Sequence, residues 1–265
     1  MKIAFTVLAA VAPSALLLWY FYKRDLNPEP RGELIKTFLL GMVIVVPVLI
    51  VGFVLYFLMP SVAHPVLAGL YAAVVLAAVP EESFKFLVVT RYSARHPAFN
   101  EPMDGVVYGV TASLGFATLE NILYVAAGGW TVALLRAFTA VPAHACFGAI
   151  MGYYVGKARF VDRRNVVAFW GLLAAILFHA LYDFPIMVIA GVGEQSLNDD
   201  VAVGQALALI FVMLLLFLAA FVFMIVLTVI IVRRLRREQI EAPTTANDHA
   251  RRSDGEADGD IEFLD

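Results

Sequence analysis

Apolar residues along this chain fall into seven long runs that are separated by short polar segments. The runs cover residues 3–22, 37–59, 62–90, 103–128, 131–156, 166–190 and 201–232. Each run has about 20 residues or more, which is the length that crosses roughly 30 Å of hydrocarbon as an α-helix. The pattern therefore predicts an all-α membrane protein, a polytopic bundle of about seven transmembrane helices.

Basic residues predict how this bundle is oriented. They follow runs one, three, five and seven, within residues 23–36, 91–95, 157–164 and 233–237, whereas the opposite side holds only Lys2. Because cytoplasmic loops are enriched in Lys and Arg, we expect the N-terminus outside and the C-terminus in the cytoplasm. The first run could also be a cleaved secretory signal, but its border "LLLWYFYKR" is typical of a retained span.

Composition agrees with this class of protein. Of the 265 residues 62% are apolar and the mean hydropathy is +0.83, whereas soluble globular chains are about 45–50% apolar. We expect a multi-pass protein of the plasma membrane, with a transmembrane domain at residues 1–237. Residues 238–265 are polar and acidic, and they predict a disordered cytoplasmic tail. The lipid bilayer is the expected surrounding, and no nucleic-acid partner is predicted.

Eight residues with charged, imidazole or amide side chains stand well inside runs three to six, where hydrocarbon would otherwise surround them. They are Glu81, Glu82, Lys85, Glu120, Asn121, His144, His179 and Asp183. A charge at bilayer depth costs between about 2.5 and more than 10 kcal/mol, so each one needs a partner. At about 1.5 Å per helical residue, the acids and histidines of all four runs lie at a similar depth. We therefore predict that they converge.

Spacing within two of the runs refines this prediction. His179 and Asp183 are four residues apart and share a helix face, so the carboxylate can orient the ring or bind a metal beside it. Lys85 follows Glu81 by four residues and Glu82 by three. One ammonium can thus neutralise one carboxylate and leave the other as a general base. The spacing leaves open which glutamate that is.

Purely structural interpretations also fit several of these residues. The Glu–Glu–Lys group can be a buried ion network, His144 a hydrogen-bonded core histidine, and His179 with Asp183 a structural pair. Asn121 is expected to bridge helices. Arg136 stands near the outer end of its run and is expected to extend to the membrane surface.

Prolines and glycines indicate irregular and closely packed helices around the polar residues. Pro80, Pro142 and Pro185 each stand within two residues of one of them, where a proline interrupts the helical hydrogen bonds. Glycines at 105 and 109, and at 148, 152 and 156, recur every four residues and predict close contact between helices.

Four ordered motifs give the chain a resemblance to a known family. They are "PEESFK", "DGVVYGVTASLGFATLEN", "RAFTAVPAHACFGAIMGYYVG" and "FHALYDF", within residues 75–190. Together they resemble the PrsW family of intramembrane proteases. That family is similar in turn to type II CAAX prenyl proteases and abortive-infection membrane proteins, whose EExxxR motif places its basic residue one position later than Lys85.

The resemblance implies hydrolysis of a peptide bond in or beside the membrane, in a membrane-anchored protein such as an anti-sigma factor. It matches Glu81 and Glu82 to an essential glutamate pair. The catalytic residues are expected to be Glu81, Glu82, His144 and His179. The supporting residues are expected to be Lys85, Glu120, Asn121 and Asp183.

Two mechanisms follow from these roles. In the favoured one, His144, His179 and a carboxylate from Asp183 or Glu120 hold Zn²⁺, and a glutamate deprotonates the bound water. In the other, a glutamate activates water without a metal, and the histidines stabilise the oxyanion or protonate the leaving amine. Both require water, so we expect a hydrated cavity that opens toward the cytoplasmic, basic end.

Two other classes of protein have to be considered. Buried acids and histidines beside proline-broken helices also mark proton- or cation-coupled transporters and channels. Such proteins usually contain inverted repeats, which this sequence does not show. An inactive membrane scaffold of the same fold is the third class, and the full set of motifs argues against it.

Overall fold

A computed structural model describes residues 2–58, 62, 64–195 and 200–241. In this part of the chain nine α-helices follow one another. They are α1 (Lys2–Arg24), α2 (Arg31–Val43), α3 (Val45–Phe57), α4 (Pro65–Tyr71), α5 (Val79–Arg91), α6 (Pro102–Phe138), α7 (Ala140–Ala158), α8 (Arg164–Gln195) and α9 (Asp200–Glu241). A π-helix at Ala72–Ala78 joins α4 to α5, and a 3₁₀ turn at Ser93–Arg95 follows α5.

Helical stretches of membrane-spanning length confirm the all-α membrane class. Among the described residues four are long and apolar enough to cross a bilayer: Arg31–Phe57, Pro102–Ala158, Arg164–Gly193 and Val203–Glu241. The chain is therefore an integral membrane protein, while the count of seven crossings and the orientation stay predictions. Helix α9 continues four residues into the predicted tail, and the rest of that tail, 242–265, lies outside the described residues, as do 59–61.

Helices α6 and α7 lie backbone against backbone, as the four-residue glycine spacing predicts. A Cβ atom on Gly105 would lie 2.3 Å from the Gly152 carbonyl oxygen, and one on Gly109 would lie 2.2 Å from that of Gly148. Real Cβ atoms do not approach so closely, so these positions accept only a hydrogen atom as side chain. The two helices that carry Glu120 and His144 are thereby held in direct contact.

Helix α6 breaks at the predicted turn between the fourth and fifth runs. Gly129 has a φ of 71° and a ψ of −155°, values that interrupt the helical path. A positive φ of this kind is readily adopted only by glycine. The break redirects the chain so that residues 130–138 lead back toward α7, which begins after Thr139.

The segment before the paired glutamates is a widened helix. The π-helix ends at Ala78, two residues before Pro80. Proline has no amide hydrogen and cannot donate the usual bond to the preceding turn, and π-segments form where such a ladder is interrupted. Glu81 and Glu82 therefore stand in the first turn of α5, directly after this irregularity.

Polar contacts join three segments at the basic end of the bundle. The Gln239 amide of α9 donates to Asp25 Oδ1 at 2.6 Å and to Glu101 Oε1 at 2.5 Å. Nearby, the Tyr108 hydroxyl donates to Glu29 Oε2 at 2.7 Å. Burial raises the pKa of Glu29 to about 8, so this carboxyl is largely protonated at neutral pH and lies beside other acids at little cost.

The glycine contact between α6 and α7 can be tested by adding one methyl group. Gly152→Ala places a carbon 2.0 Å from the Gly105 carbonyl oxygen, so the helices must separate. We expect a loss of about 1–3 kcal/mol of stability, seen as a lower unfolding temperature in detergent. Gly32→Ala is the matched control, because nothing lies within 4 Å of its added carbon. Equal unfolding temperatures for the two variants would contradict this packing.

Candidate active site

One hydrogen-bonded network joins α5, α6, α7 and α8 in the interior of the bundle. It contains all eight polar residues that the sequence places inside the runs, together with Arg136. The predicted convergence is therefore present in the structure.

Lys85 occupies the centre of the network. Its Nζ lies 2.8 Å from Glu82 Oε1, 3.1 Å from Glu81 Oε2 and 3.0 Å from His144 Nδ1. The side chain is fully buried, and the ring of Phe116 lies 4.2 Å from the ammonium. Both contacts predicted within α5 form at once, and the same ammonium links α5 to α7.

His179 is held by carboxylates at both ring nitrogens. Its Nδ1 lies 2.8 Å from Glu82 Oε1, and its Nε2 lies 3.1 Å from Asp183 Oδ2. The ring stacks on Phe147 with centroids 4.6 Å apart and planes 13° apart. The predicted pair on α8 therefore forms, and Asp183 orients the ring toward Glu82.

His144 links Lys85 to the third glutamate. Its Nε2 lies 3.0 Å from Glu120 Oε2, while its Nδ1 faces Lys85. An ammonium group has only donors, so Nδ1 must accept and the ring hydrogen must sit on Nε2, where it donates to Glu120. The contacts of this side chain thus define its tautomer.

The expectation that Arg136 extends to the membrane surface is wrong. Its Nη2 donates to Glu120 Oε2 at 2.8 Å, its Nε donates to Asn121 Oδ1 at 2.9 Å, and its side chain is only 14% exposed. The break at Gly129 turns the chain back toward the bundle and brings Arg136 inward. Asn121 bridges helices as expected, because its amide also donates to the Ala10 carbonyl of α1 at 2.9 Å.

Exposure within the network increases toward the side away from the basic loops. The side chains of Glu82 and Lys85 are 0% exposed, whereas those of Glu81, Asp183 and Glu120 are 10%, 15% and 17% exposed. The network therefore reaches the protein surface through these three carboxylates.

Apolar side chains lie on the side of the network where the sequence predicts a cavity toward the basic end. Among them are Val88, Val89, Phe147 and Met151, which are buried and pack together. The cavity therefore stays a prediction. The three partly exposed carboxylates, Glu81, Glu120 and Asp183, would offer water a second route from the opposite side.

One fully buried oxygen of the network has no hydrogen-bond partner among the described residues. Glu82 Oε2 is buried and accepts no hydrogen bond from the described residues, although Oε1 of the same carboxylate has two partners. An unsatisfied buried acceptor costs about 1–3 kcal/mol, so this atom is suited to receive a water molecule, a substrate group or an ion.

The side chains that bond Lys85 are of types that can bind a zinc ion. One ligand atom each from Glu81, Glu82 and His144 lies within 4.8 Å of the other two, and carboxylates with imidazole are accepted zinc ligands. The same residues bond the Lys85 ammonium, so a metal would have to take its place. The ligands expected from the sequence instead form two separate pairs, His144 with Glu120 and His179 with Asp183.

Comparison with known proteins assigns the network to a family. A family model described as "PrsW family intramembrane metalloprotease" matches residues 29–232, which is most of the chain and includes every residue of the network. The chain belongs to the PrsW family. It is therefore a member of a family of intramembrane proteases, as its four motifs indicate.

Relatives named "Protease PrsW" support the same assignment. The protein from Geobacillus kaustophilus is 40% identical over 66% of this chain and 77% of its own length. The Bacillus subtilis protein is 39% identical over 66% and 80%, and the Clostridioides difficile protein is 32% identical over 71% and 81%. No solved structure matches the chain. PrsW membership supports a peptidase, while the roles of single residues stay predictions.

The central ammonium of this PrsW network can be tested through stability. Lys85→Met leaves two buried carboxylates without their cation, and we expect a loss of about 3–5 kcal/mol in unfolding free energy. Adding Glu82→Gln removes one of these charges and should restore part of the loss. Lys36→Met is the control, because Lys36 pairs with Glu33 at an exposed position where an ion pair contributes little to stability. A Lys85→Met protein as stable as this control would contradict the central role.

Proposed function

We propose that this protein hydrolyses a peptide bond of a membrane-anchored protein by means of glutamate-activated water. The observation that carries the proposal is the buried Glu82 Oε2, an acceptor without a partner at the centre of a charged network. Membership in a family of intramembrane proteases supplies the reaction class.

Glu82 has the geometry of the general base. Its Oε1 is fixed by Lys85 and His179, so the orientation of the carboxylate is set before any substrate binds. A water molecule on the free Oε2 would donate one proton toward it and direct its lone pair outward. Proton removal by a group positioned in this way accelerates hydrolysis by about 10²–10⁴-fold.

Glu81 is the second candidate for the base. It shares Lys85 with Glu82 and lies 3.9 Å from His179 Nε2, but its side chain is partly exposed. We infer that water and substrate would enter the network on this side. We assign it to positioning of the water or of the scissile carbonyl.

The cations of the network would stabilise the charge that develops during hydrolysis. Attack on a peptide carbonyl produces an oxyanion, and donors already held in place stabilise that charge without reorganisation. Lys85 would contribute its positive charge at short range, since its three hydrogens already bond Glu81, Glu82 and His144, and Glu120 with Arg136 keeps His144 in position. His179, oriented by Asp183, is placed to pass a proton to the leaving amine.

The proposed substrate is a regulator anchored in the membrane, such as an anti-sigma factor. The network lies inside helices of a multi-pass protein that we place in the plasma membrane, so the scissile bond must be able to enter that membrane. The partly exposed carboxylates mark the side from which it would approach.

Zinc is a further part of the proposal. His144 would hold it together with Glu81 and Glu82, or with the sequence-predicted ligands His179, Asp183 and Glu120. Bound zinc would supply Lewis-acid polarisation of the reacting carbonyl or water. The orientation, charge and proton-transfer roles above belong to the protein side chains in either case.

The protease proposal is tested by cleavage of a single-pass reporter in membranes. We expect Glu82→Gln and His179→Ala each to reduce cleavage by about 10²-fold or more, because each removes a proton-transfer group. Glu81→Gln should have a smaller effect if Glu82 is the base. Glu238→Gln is a control of the same chemistry, since Glu238 pairs with Lys157 near the basic end, outside the network. Full cleavage at normal expression by Glu82→Gln or His179→Ala would reject the assignment.

The zinc proposal is tested by elemental analysis of purified protein. We expect about one zinc per chain, lost in His144→Ala, and cleavage that stops on chelation and returns when zinc is added. Protein without stoichiometric zinc, whose cleavage survives chelation, would leave the metal-free mechanism.

A further inference from the structure

An apolar groove lies between α1 and α2, on the outside of the bundle and away from the polar network. It encloses about 590 Å³. Its walls include Ala15 and Trp19 from α1 and Ile35 and Leu39 from α2. Three of these side chains are more than half exposed, at 59% for Trp19, 60% for Ile35 and 52% for Leu39. The groove therefore opens to the surrounding membrane.

One end of the groove is basic. Lys23, in the last turn of α1, and Arg31, the first residue of α2, both line it. Neither lies within 4.0 Å of an Asp or Glu oxygen in the described part of the chain. The two cations thus line one end of the groove without a counter-ion among the residues that the structure describes.

Basic residues close to Lys23 and Arg31 on the same two helices do have partners in the protein. Lys36 on α2 pairs with Glu33 at 2.6 Å, and the Arg24 guanidinium lies 4.8 Å from the Tyr20 ring centroid. Both are a few residues away from the groove cations on the same two helices. The chain therefore satisfies some basic side chains internally and leaves Lys23 and Arg31 available.

The groove thus has a long apolar wall and a basic end, formed by Lys23 at the end of α1 and Arg31 at the start of α2. Neither cation has an acidic partner among the described residues. Aromatic residues also favour this boundary between membrane and water, and Trp19 and Tyr22 lie there. Basic pockets between helices at the membrane surface bind anionic lipid head groups. An apolar body with one anionic end matches the groove in shape and in charge.

We propose that the groove between α1 and α2 is a binding site for an anionic glycerophospholipid. One acyl chain lies along the apolar wall between Ala15 and Leu39, and the phosphate is bound by Lys23 and Arg31. A transmembrane peptide helix would fill the apolar part but would leave both cations without an anion, so the charges favour the lipid. The site is separate from the proposed proteolytic network.

Native mass spectrometry of the full chain tests the charge preference, with phosphatidylglycerol and phosphatidylcholine as competing probes. The test variant is Lys23→Gln with Arg31→Gln. The control is Arg24→Gln with Lys36→Gln, which removes the same charge from the same helices. We expect the wild type and the control to retain phosphatidylglycerol preferentially, and the test variant to lose that preference by on the order of tenfold.

The position of the bound lipid is tested by fluorescence. In a Trp130→Phe, Trp170→Phe background, Trp19 is the single remaining tryptophan and reports on the groove. Brominated phosphatidylglycerol should quench the fluorescence of Trp19 more strongly than its mole fraction in a mixed bilayer predicts. Ala15→Phe, which fills the apolar wall, should reduce that excess quenching while leaving the protein folded, as judged by its unfolding temperature.

Three results would overturn the proposal. The first is equal retention of both lipids by the wild type. The second is equal loss of preference in the test and control variants. The third is that a single-pass substrate peptide protects Trp19 from quenching while the protein shows no preference between the two lipids. That result would assign the groove to a transmembrane helix. Because none of these measurements uses cleavage, they fail or succeed independently of the protease proposal.

Discussion

Neutralisation of charge inside the bilayer is the constraint on which the structure of this protein depends. Lys85 is fully buried, so other side chains have to compensate its charge. Its partners come from its own helix and from α7, and each partner brings a further contact: Glu82 brings His179 of α8, and His144 brings Glu120 of α6. Four helices are thereby linked through one ammonium. A buried network of this kind rigidifies the core when every member is satisfied and is costly when one is missing.

Packing places the partners at distances where these bonds can form. The glycine contact between α6 and α7 lets their backbones touch, so Glu120 and His144 reach each other across a single hydrogen bond. The break at Gly129 then returns the chain so that Arg136 supplies a second cation to Glu120. The irregular π-segment before Pro80 places the glutamates at the start of α5. The break at Gly129 thus precedes Arg136 by seven residues, and the π-segment ends three residues before Glu81.

How far the site could be predicted from the sequence depends on whether a contact lies within one helix or between two. Spacing of three or four residues correctly predicted the pairs of Lys85 with its glutamates and of His179 with Asp183, because helix geometry alone determines them. The similar depth of the acids and histidines in runs three to six correctly predicted that these residues converge. The bonds between helices depend on how each helix is rotated about its axis, which depth does not define. The expected outward direction of Arg136 was therefore wrong, the cavity toward the basic loops stays a prediction, and the central position of Lys85 between α5 and α7 was not predicted at all.

The position of Lys85 also bears on whether a metal can bind in the network. Its three bonding partners are the group whose ligand atoms lie close enough to hold an ion, so ammonium and metal compete for one place. Two carboxylates and an imidazole attract a divalent ion strongly, but a metal could bind there only if the lysine moved aside. Among the described residues that ammonium has no other carboxylate within 4.0 Å. Moving it would expose a buried cation to hydrocarbon or carry it toward the partly exposed side of the network, where Glu120 and Asp183 lie. The zinc mechanism and the metal-free mechanism therefore differ first in where the Lys85 side chain lies. How water is activated depends on that position.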